Sequence, residues 1–282
     1  MKKKFGLVTA LSALVLAACG GNTNEGSEAT TWDAIEEKGK ITVATSGTLY
    51  PSSYYGDDNV LTGYEIEIVN AIAEKLELEV EYMEMGVDGI LTAVQSGQAD
   101  MAANGFEITE ARQEDYLFSD PYKYSFGGLV VRSSDNSGIE SFEDWDGKKA
   151  AGGATTTSMG IARSLGAEPV TYDNATNDIF FRDVASGRTD FIPNDYYTSY
   201  TAVQFFPDLG VKMHEDLKYN PSEQGIVLNN ADNSVKEKID EVLAELREEG
   251  VLSELSEEFF GGADVTEPLE NVDDFPVFEP ED

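Results

Sequence analysis

Between Asn104 and Tyr122 the chain reads NGFEITEARQEDYLFSDPY, and its polar groups are spaced to hold an anion. A buried-looking run, Ala99 to Ala103, stops at the turn pair Asn104-Gly105, and Thr109 then offers a hydroxyl to cap a short helix that carries Arg112. Strand end, turn and helix start aim free backbone N–H groups and a guanidinium at one place, which suits a carboxylate. The plainer alternative sets Arg112 on a surface helix paired with Glu110 or Glu114, where ion pairs are common and weak. Nothing else in the sequence offers catalytic chemistry. The single histidine, His214, lies in a polar loop with no Ser or Cys nucleophile near it, and no Cys/His cluster suits a metal. No catalytic residue, metal or cofactor is assigned.

A second stretch repeats the design. Residues 96–105 read SGQADMAANG and residues 186–195 read SGRTDFIPND, so both fit S-G-x-x-D-x-x-x-N followed by Gly or Asp. Each follows an amphipathic helical pattern that Gly97 or Gly187 would end, which places the polar pair on the loop beyond a short strand. One copy in each of two lobes is the simplest account, although part of the match is the ordinary grammar of a helix end.

The elements around these stretches alternate. Ile41 to Thr45 is a β-branched run that reads as a strand, ending in a loop with Tyr50 and Pro51. Ile68, Val69, Ile72 and Leu76 fall at helical spacing between Tyr64 and Leu76, a strand follows over Leu78 to Tyr82, and Val87 to Gln95 returns to helix. A second β/α set follows: Lys149 to Gly153, a helix from about Ser158, a strand near Val170, a helix near Ile179 to Ala185, then Thr189 to Asn194. Val235, Ile239, Val242, Leu243 and Leu246 mark a late helix with Asn233 or Ser234 as its cap and Gly250 past its end. Such alternation predicts an α/β fold of mostly parallel sheets with sites at strand C-termini. The chain leaves a first lobe through Tyr122 to Arg132, builds a second, and returns through Glu223 to Asn229. Two crossings make a hinge, and a hinge between two lobes makes a closing cleft. The expected boundaries are 32–123 with 225–262 for lobe 1, 127–222 for lobe 2, and an acidic C-terminal tail over 263–282.

The N-terminus reads as an export signal. Lys2 to Lys4 precede an uncharged apolar run from Phe5 to Ala18 that is too short to span a bilayer. The only cysteine, Cys19, follows Leu16-Ala17-Ala18 directly, and a lone cysteine has no intramolecular disulfide to form. Leu-Ala-Ala-Cys resembles the bacterial lipobox, which implies cleavage after Ala18, diacylglycerol on Cys19 and tethering to the outer face of the cell membrane. Residues 19–31 are small and polar, as a flexible linker would be.

The formal charge is −35, with 54 acidic residues against 19 basic ones, which makes nucleic acid an unlikely partner. The charge could steer a cationic ligand. Its spread along helix faces that read as exposed (Glu65, Glu67, Glu74, Glu77) and into the tail after Gly262 points instead to solvation in a salty or alkaline habitat.

With Thr62-Gly63-Tyr64-Glu65, Asp88-Gly89-Ile90, Ser96-Gly97-Gln98-Ala99-Asp100, Thr109-Glu110-Ala111-Arg112, Phe118-Ser119-Asp120-Pro121-Tyr122, Gly147-Lys148-Lys149 and Asn194-Asp195 in order, the chain from about Ile41 to Gly261 resembles the polar amino-acid-binding lipoproteins of ABC importers. Each motif alone is weak; their order behind a lipobox is the specific signal. The resemblance implies a two-lobed type II periplasmic-binding-protein fold acting as a monomer, which hands an L-amino acid to a membrane permease driven by a separate ATPase. It also implies that Arg112 holds the α-carboxylate, that the turn Thr156-Thr157-Ser158 gives it N–H and hydroxyl groups, and that Asp195 takes the α-ammonium, a residue whose bland role would be a helix cap. Asn104 and Gly105 belong to the same expected site.

The sequence also departs from the family. Glu107 stands where Thr is usual, and would meet a second ammonium, as in a basic amino acid or cystine, or else sit in a salt bridge with Lys123 or Arg132. Val87 replaces an aromatic, leaving Tyr50, Tyr54 or Tyr55 to pack on the ligand. Gly153 replaces larger polar side chains and hints at room for a longer ligand. The competing readings are an enzyme on the same scaffold, such as a cyclohexadienyl or arogenate dehydratase with Glu107 as its acid, and an amino-acid-sensing receptor, disfavoured because no membrane helix follows.

Overall fold

The computed structural model describes residues 31–272 and 274–281, so the stretch read as an export signal, Cys19 and most of the expected linker lie outside the described residues. Two sheets carry the architecture. The first runs Glu79–Glu84, Lys40–Thr45, Met101–Ala102, Val227–Asn229, Tyr116–Phe118 in spatial order. Its first three strands are parallel, and Val227–Asn229 runs antiparallel to both neighbours. The second runs Glu168–Thr171, Lys149–Gly152, Phe191–Asp195, Lys123–Arg132, Val211–Met213, with Tyr219–Gln224 also paired to Lys123–Arg132.

Successive residues of a strand face opposite sides, and the cores divide accordingly. Val43, Met101 and Leu228 enter one cluster with Ile68, Ile72, Ile239 and Leu243, while their neighbours Ala44, Ala102 and Val227 enter another with Ile90, Val94 and Phe118. In the second lobe Val131, Ala150 and Phe191 pack with Trp145 and Met159, and Val130, Ala151 and Ile192 pack with Phe181 and Val184. Strands covered on both faces explain why the sequence shows short continuous apolar runs rather than alternation. The helices Tyr64–Lys75 and Val87–Gln95 stand where the periodicity places them, and Gly250 lies past Ser234–Glu248 in the left-handed region. Asn233 holds the N-cap position of that helix as expected but makes no side-chain cap hydrogen bond, and the Asp232 carboxylate takes the Ser234 N–H and hydroxyl.

The repeated motif has a structural meaning. Asp100 brackets Thr42 of the adjacent parallel strand, donating its N–H to the Thr42 carbonyl (2.9 Å) and accepting the Thr42 N–H on its carboxylate (2.8 Å). Asp190 does the same to Lys149, at 2.8 and 2.9 Å. Each Asp thereby fixes the register of its strand and hence the position of the polar pair that follows.

The crossing between lobes is a two-stranded ribbon in which Lys123 faces Gln224, Tyr124 faces Glu223 and Ser125 faces Ser222. Beyond it, a Cβ on Gly127 would stand 2.4 Å from the Tyr219 ring, so only glycine lets the strands approach here. The acidic tail keeps acids such as Glu267, Glu270 and Glu279 exposed, and its apolar residues pack on both lobes. Tyr124 donates its N–H to the Val265 carbonyl, Phe275 sits edge-on to Phe126 with centroids 5.1 Å apart, and Phe278 packs on Phe142 while exchanging two hydrogen bonds with Asn220. Its apolar residues, spaced without periodicity among the acids, pass from the first lobe over the ribbon to the second.

Candidate functional site

The lobes meet along the cleft. The Asp88 carboxylate accepts the Thr155 N–H and hydroxyl, both at 3.0 Å, Val87 donates its N–H to the Asp173 carbonyl, and Tyr50 donates its N–H to the Asn177 side chain. They enclose a cavity of about 130 Å³ whose wall includes Asn104, Gly105, Glu107, Arg112, Gly153, Thr156, Thr157, Ser158 and Asp195. Nine of the ten ligand-binding residues expected from sequence therefore surround one space.

Tyr50 is the exception. It stacks on Phe205 and meets Tyr54 edge-on beside a second, more open cleft that also holds Tyr55, while Leu49 takes the place on the cavity wall. Gly153 is corrected in its consequence. The Val87 and Thr156 side chains come within 3.4 Å of where its Cβ would be, so they take much of the space a larger residue leaves.

Arg112 is built as expected. Thr109 accepts the Arg112 N–H and caps its short helix. The guanidinium pairs with neither Glu110 nor Glu114 in this arrangement; Nη1 donates to the Glu107 carbonyl at 3.0 Å and Nη2 to the Thr155 carbonyl of the other lobe at 3.3 Å. It also lies 5.5 Å from the centre of the Phe106 ring. Thr156 caps the helix Thr157–Ser164, whose first N–H groups have no partner within the helix. The guanidinium and a helix N-terminus thus line one cavity from opposite lobes.

Asn104 and Gly105 have mainly a framing role. The Asn104 side-chain oxygen Oδ1 accepts the Ser46 N–H at 2.9 Å, and Gly105 donates its N–H to Glu65 at 2.7 Å. Glu65 had been read as an exposed helix charge, but it is 2 % exposed: its Oε1 also takes the Tyr122 hydroxyl, and its Oε2 has no partner. Burial pushes its carboxyl above the usual range. The folded state therefore binds this proton more tightly than the unfolded state, and stability falls as pH rises from the ordinary carboxylate range toward the raised value. Urea midpoints of Glu65→Gln should lose less than wild type over that rise; parallel curves would show that Glu65 is not the group responsible.

Glu107 lines the cavity with the Thr157 hydroxyl as its polar neighbour, and burial, opposed by Arg112, raises its pKa. Neither expected salt bridge forms. Lys123 pairs with Asp195 at 2.8 Å and Arg132 with Asp135 at 3.0 Å. Asp195 caps the helix Tyr196–Phe205 as the bland reading had it, and the same carboxylate takes Lys123 and, on Oδ2, the Gln224 amide at 3.0 Å. Burial disfavours its charge, yet Lys123 and these donors outweigh that and hold its pKa below the usual range. His214 lies in the loop after Val211–Met213 and is buried there: Nδ1 accepts from the N–H groups of Asp216 and Leu217, which is a turn-forming role.

Sequence reasoning missed Asp173, Asn177, Gln224 and the Lys123–Asp195 pair. Lys123 was visible as a crossing-strand residue and a possible partner of Glu107, Gln224 only as a crossing-strand residue, and nothing local marks Gln224 as facing the cavity.

The model of the bacterial extracellular solute-binding proteins, family 3, matches residues 41–262. The chain belongs to that family. It is 50 % identical over 260 residues to a probable ABC transporter extracellular-binding protein, YckB, of Bacillus subtilis, covering 91 % of each chain. It is 30 % identical over 268 residues to the L-cystine-binding protein TcyA of the same organism, covering 93 % of this chain and 98 % of that one. Among solved structures, an ancestral arginine-binding protein bound to glutamine aligns with a TM-score of 0.73 at 31 % identity, over 79 % of this chain and 98 % of that one. These family 3 relatives are binding proteins, and the two-lobed architecture described above is theirs as well.

Proposed function

We propose that this family 3 protein is the extracytoplasmic receptor of an amino-acid ABC importer, closing its lobes on an L-amino acid and presenting it to the permease. One observation carries the reading: Arg112 reaches from the first lobe to the Thr155 carbonyl of the second, beside the helix N-terminus at Thr156, Thr157 and Ser158. A guanidinium and free N–H groups facing one enclosed space suit a carboxylate, and that arrangement is complete only when the lobes are together.

The ligand class is polar, basic or cystine-like. Glu107, Asp173 and Asp195 face the cavity against Arg112, with Lys123 held on Asp195. Acids outnumber bases by one, so a ligand with one carboxylate and two cationic groups balances the site's charge, whereas cystine, neutral overall, is supported by the likeness to a cystine-binding relative rather than by charge. The sequence supports the remaining parts: cleavage after Ala18, a lipid on Cys19, and a linker over 19–31 that ties the folded part to the outer face of the membrane. The proposed domain limits are 32–123 with 225–262 and 127–222; the strands of the first sheet lie inside the first pair, while Lys123–Arg132 and Tyr219–Gln224 of the second sheet run across the boundary.

A thermal-shift screen of the twenty common L-amino acids, L-cystine and polyamines tests this reading. One or a few L-amino acids should raise the melting temperature, with a basic amino acid or cystine giving the largest shift. A shift from polyamines alone would contradict the carboxylate grip.

A further inference from the structure

The structure assigns the ligand's α-ammonium to Glu107, and gives Asp195 a different task as the built-in counter-ion of Lys123. This rests on the amino-acid reading above and specifies which carboxylate of that site does the recognising.

An α-amino acid carries its ammonium and carboxylate on one carbon, so the acceptor of the first must flank the grip on the second. Glu107 flanks it on both sides. Its carbonyl takes Arg112 Nη1 at 3.0 Å, and its side chain has the hydroxyl of Thr157, in the first turn of the facing helix, as a neighbour. Its carboxylate enters no ion pair within 4.0 Å among the described residues, while Lys123 and Arg132 are engaged elsewhere. A buried carboxylate in that position gains a full partner only when a cation arrives.

Asp195 is already served. Oδ1 accepts Lys123 Nζ and the Thr198 N–H, each at 2.8 Å, and Oδ2 accepts Gln224 Nε2 at 3.0 Å. Lys123 is itself 1 % exposed and fixed, with a second bond to the Thr198 hydroxyl at 3.0 Å and the Phe260 ring centre 4.9 Å away. An ammonium placed on Asp195 would share one carboxylate with a buried cation that has no route to solvent, and like charges at that range repel strongly. Because Lys123 sits where the ribbon begins and Asp195 ends the neighbouring strand of the second sheet, the pair instead fastens the start of the ribbon to the second lobe.

Calorimetry on the full mature protein separates the two carboxylates. The probes are L-cystine, L-arginine or L-glutamine, whichever gives the largest thermal shift with wild type, each beside its α-hydroxy analogue. Wild type should prefer the amino acid by about a hundredfold, and Glu107→Gln should cut that preference below about tenfold. Glu107→Asp keeps the charge and should keep most of the preference. Lys123→Met/Asp195→Asn, which removes both charges of the pair together, should keep it as well, whatever its effect on affinity; melting curves show that each variant is folded. Collapse in the double variant with retention in Glu107→Gln would overturn the assignment and leave the receptor reading standing. Collapse in both, or in neither, would overturn it too. If none of the L-amino acids in the screen shifts wild type, the receptor reading itself falls, and the assignment with it.

Discussion

Arg112→Ala should weaken binding of the amino acid by about a hundredfold or more, while the melting temperature without ligand changes little. Removing one partner of a desolvated charge pair costs roughly 2–5 kcal/mol, and each 1.4 kcal/mol is tenfold in affinity. The fold has little to lose at this position. Arg112 lies on a four-residue helix with no buried residue, and its guanidinium donates to two carbonyl oxygens rather than into the core. Calorimetry of the variant beside its ligand-free melting curve separates the two effects. Affinity within threefold of wild type would remove Arg112 from the site, and a large fall in the ligand-free melting temperature would make its role structural.

Lys123→Met should be the most destabilising single change in the cleft, by about 3–5 kcal/mol, because it leaves Asp195 charged, buried and short of its cation. Asp195→Asn should do comparable harm by stranding Lys123. The double variant Lys123→Met/Asp195→Asn should recover most of the loss, since replacing both members of a buried ion pair is often close to neutral. Urea unfolding of the four proteins closes the cycle, and the expected coupling between the two sites is about 2 kcal/mol or more. Additive losses would mean that the pair contributes to packing rather than to charge compensation.

Much of this arrangement can be read from the sequence, because the relevant signals are local. Ile68, Val69 and Ile72 lie within two helical turns of one another, and Gly97 and Gly187 end helices that their own positive φ identifies. The motif repeated at residues 96–105 and 186–195 points to two similar lobes, and in the structure its Asp brackets a neighbouring strand in each. Thr109 as the cap of the helix that carries Arg112 is likewise legible from spacing, whereas the turn at Thr156 and the use of Arg112 came from the resemblance.

What escaped the sequence depends on partners far away along the chain. Glu65 begins an amphipathic helix among other glutamates and reads as solvated, yet residues 40 and 57 positions away bury it. Lys123 and Asp195 are 72 positions apart, and each alone resembles an ordinary surface charge or helix cap. Tyr50 was a candidate to pack on the ligand because Val87 stands where the family has an aromatic, but its ring stacks on Phe205 from the other lobe. Phe275 and Phe278 stand in an acidic, aperiodic tail where only the folded surfaces of Phe126 and Phe142 reveal their use.

The most direct test of the site is to remove the carboxylate from the ligand instead of the arginine from the protein. Wild type should be titrated with the L-amino acid that gives the largest thermal shift and then with the corresponding decarboxylated amine. With Arg112 and the helix N-terminus at Thr156 gripping the carboxylate, the amine should bind at least about a hundredfold more weakly. An amine that binds as tightly as the amino acid would contradict a carboxylate grip at this site.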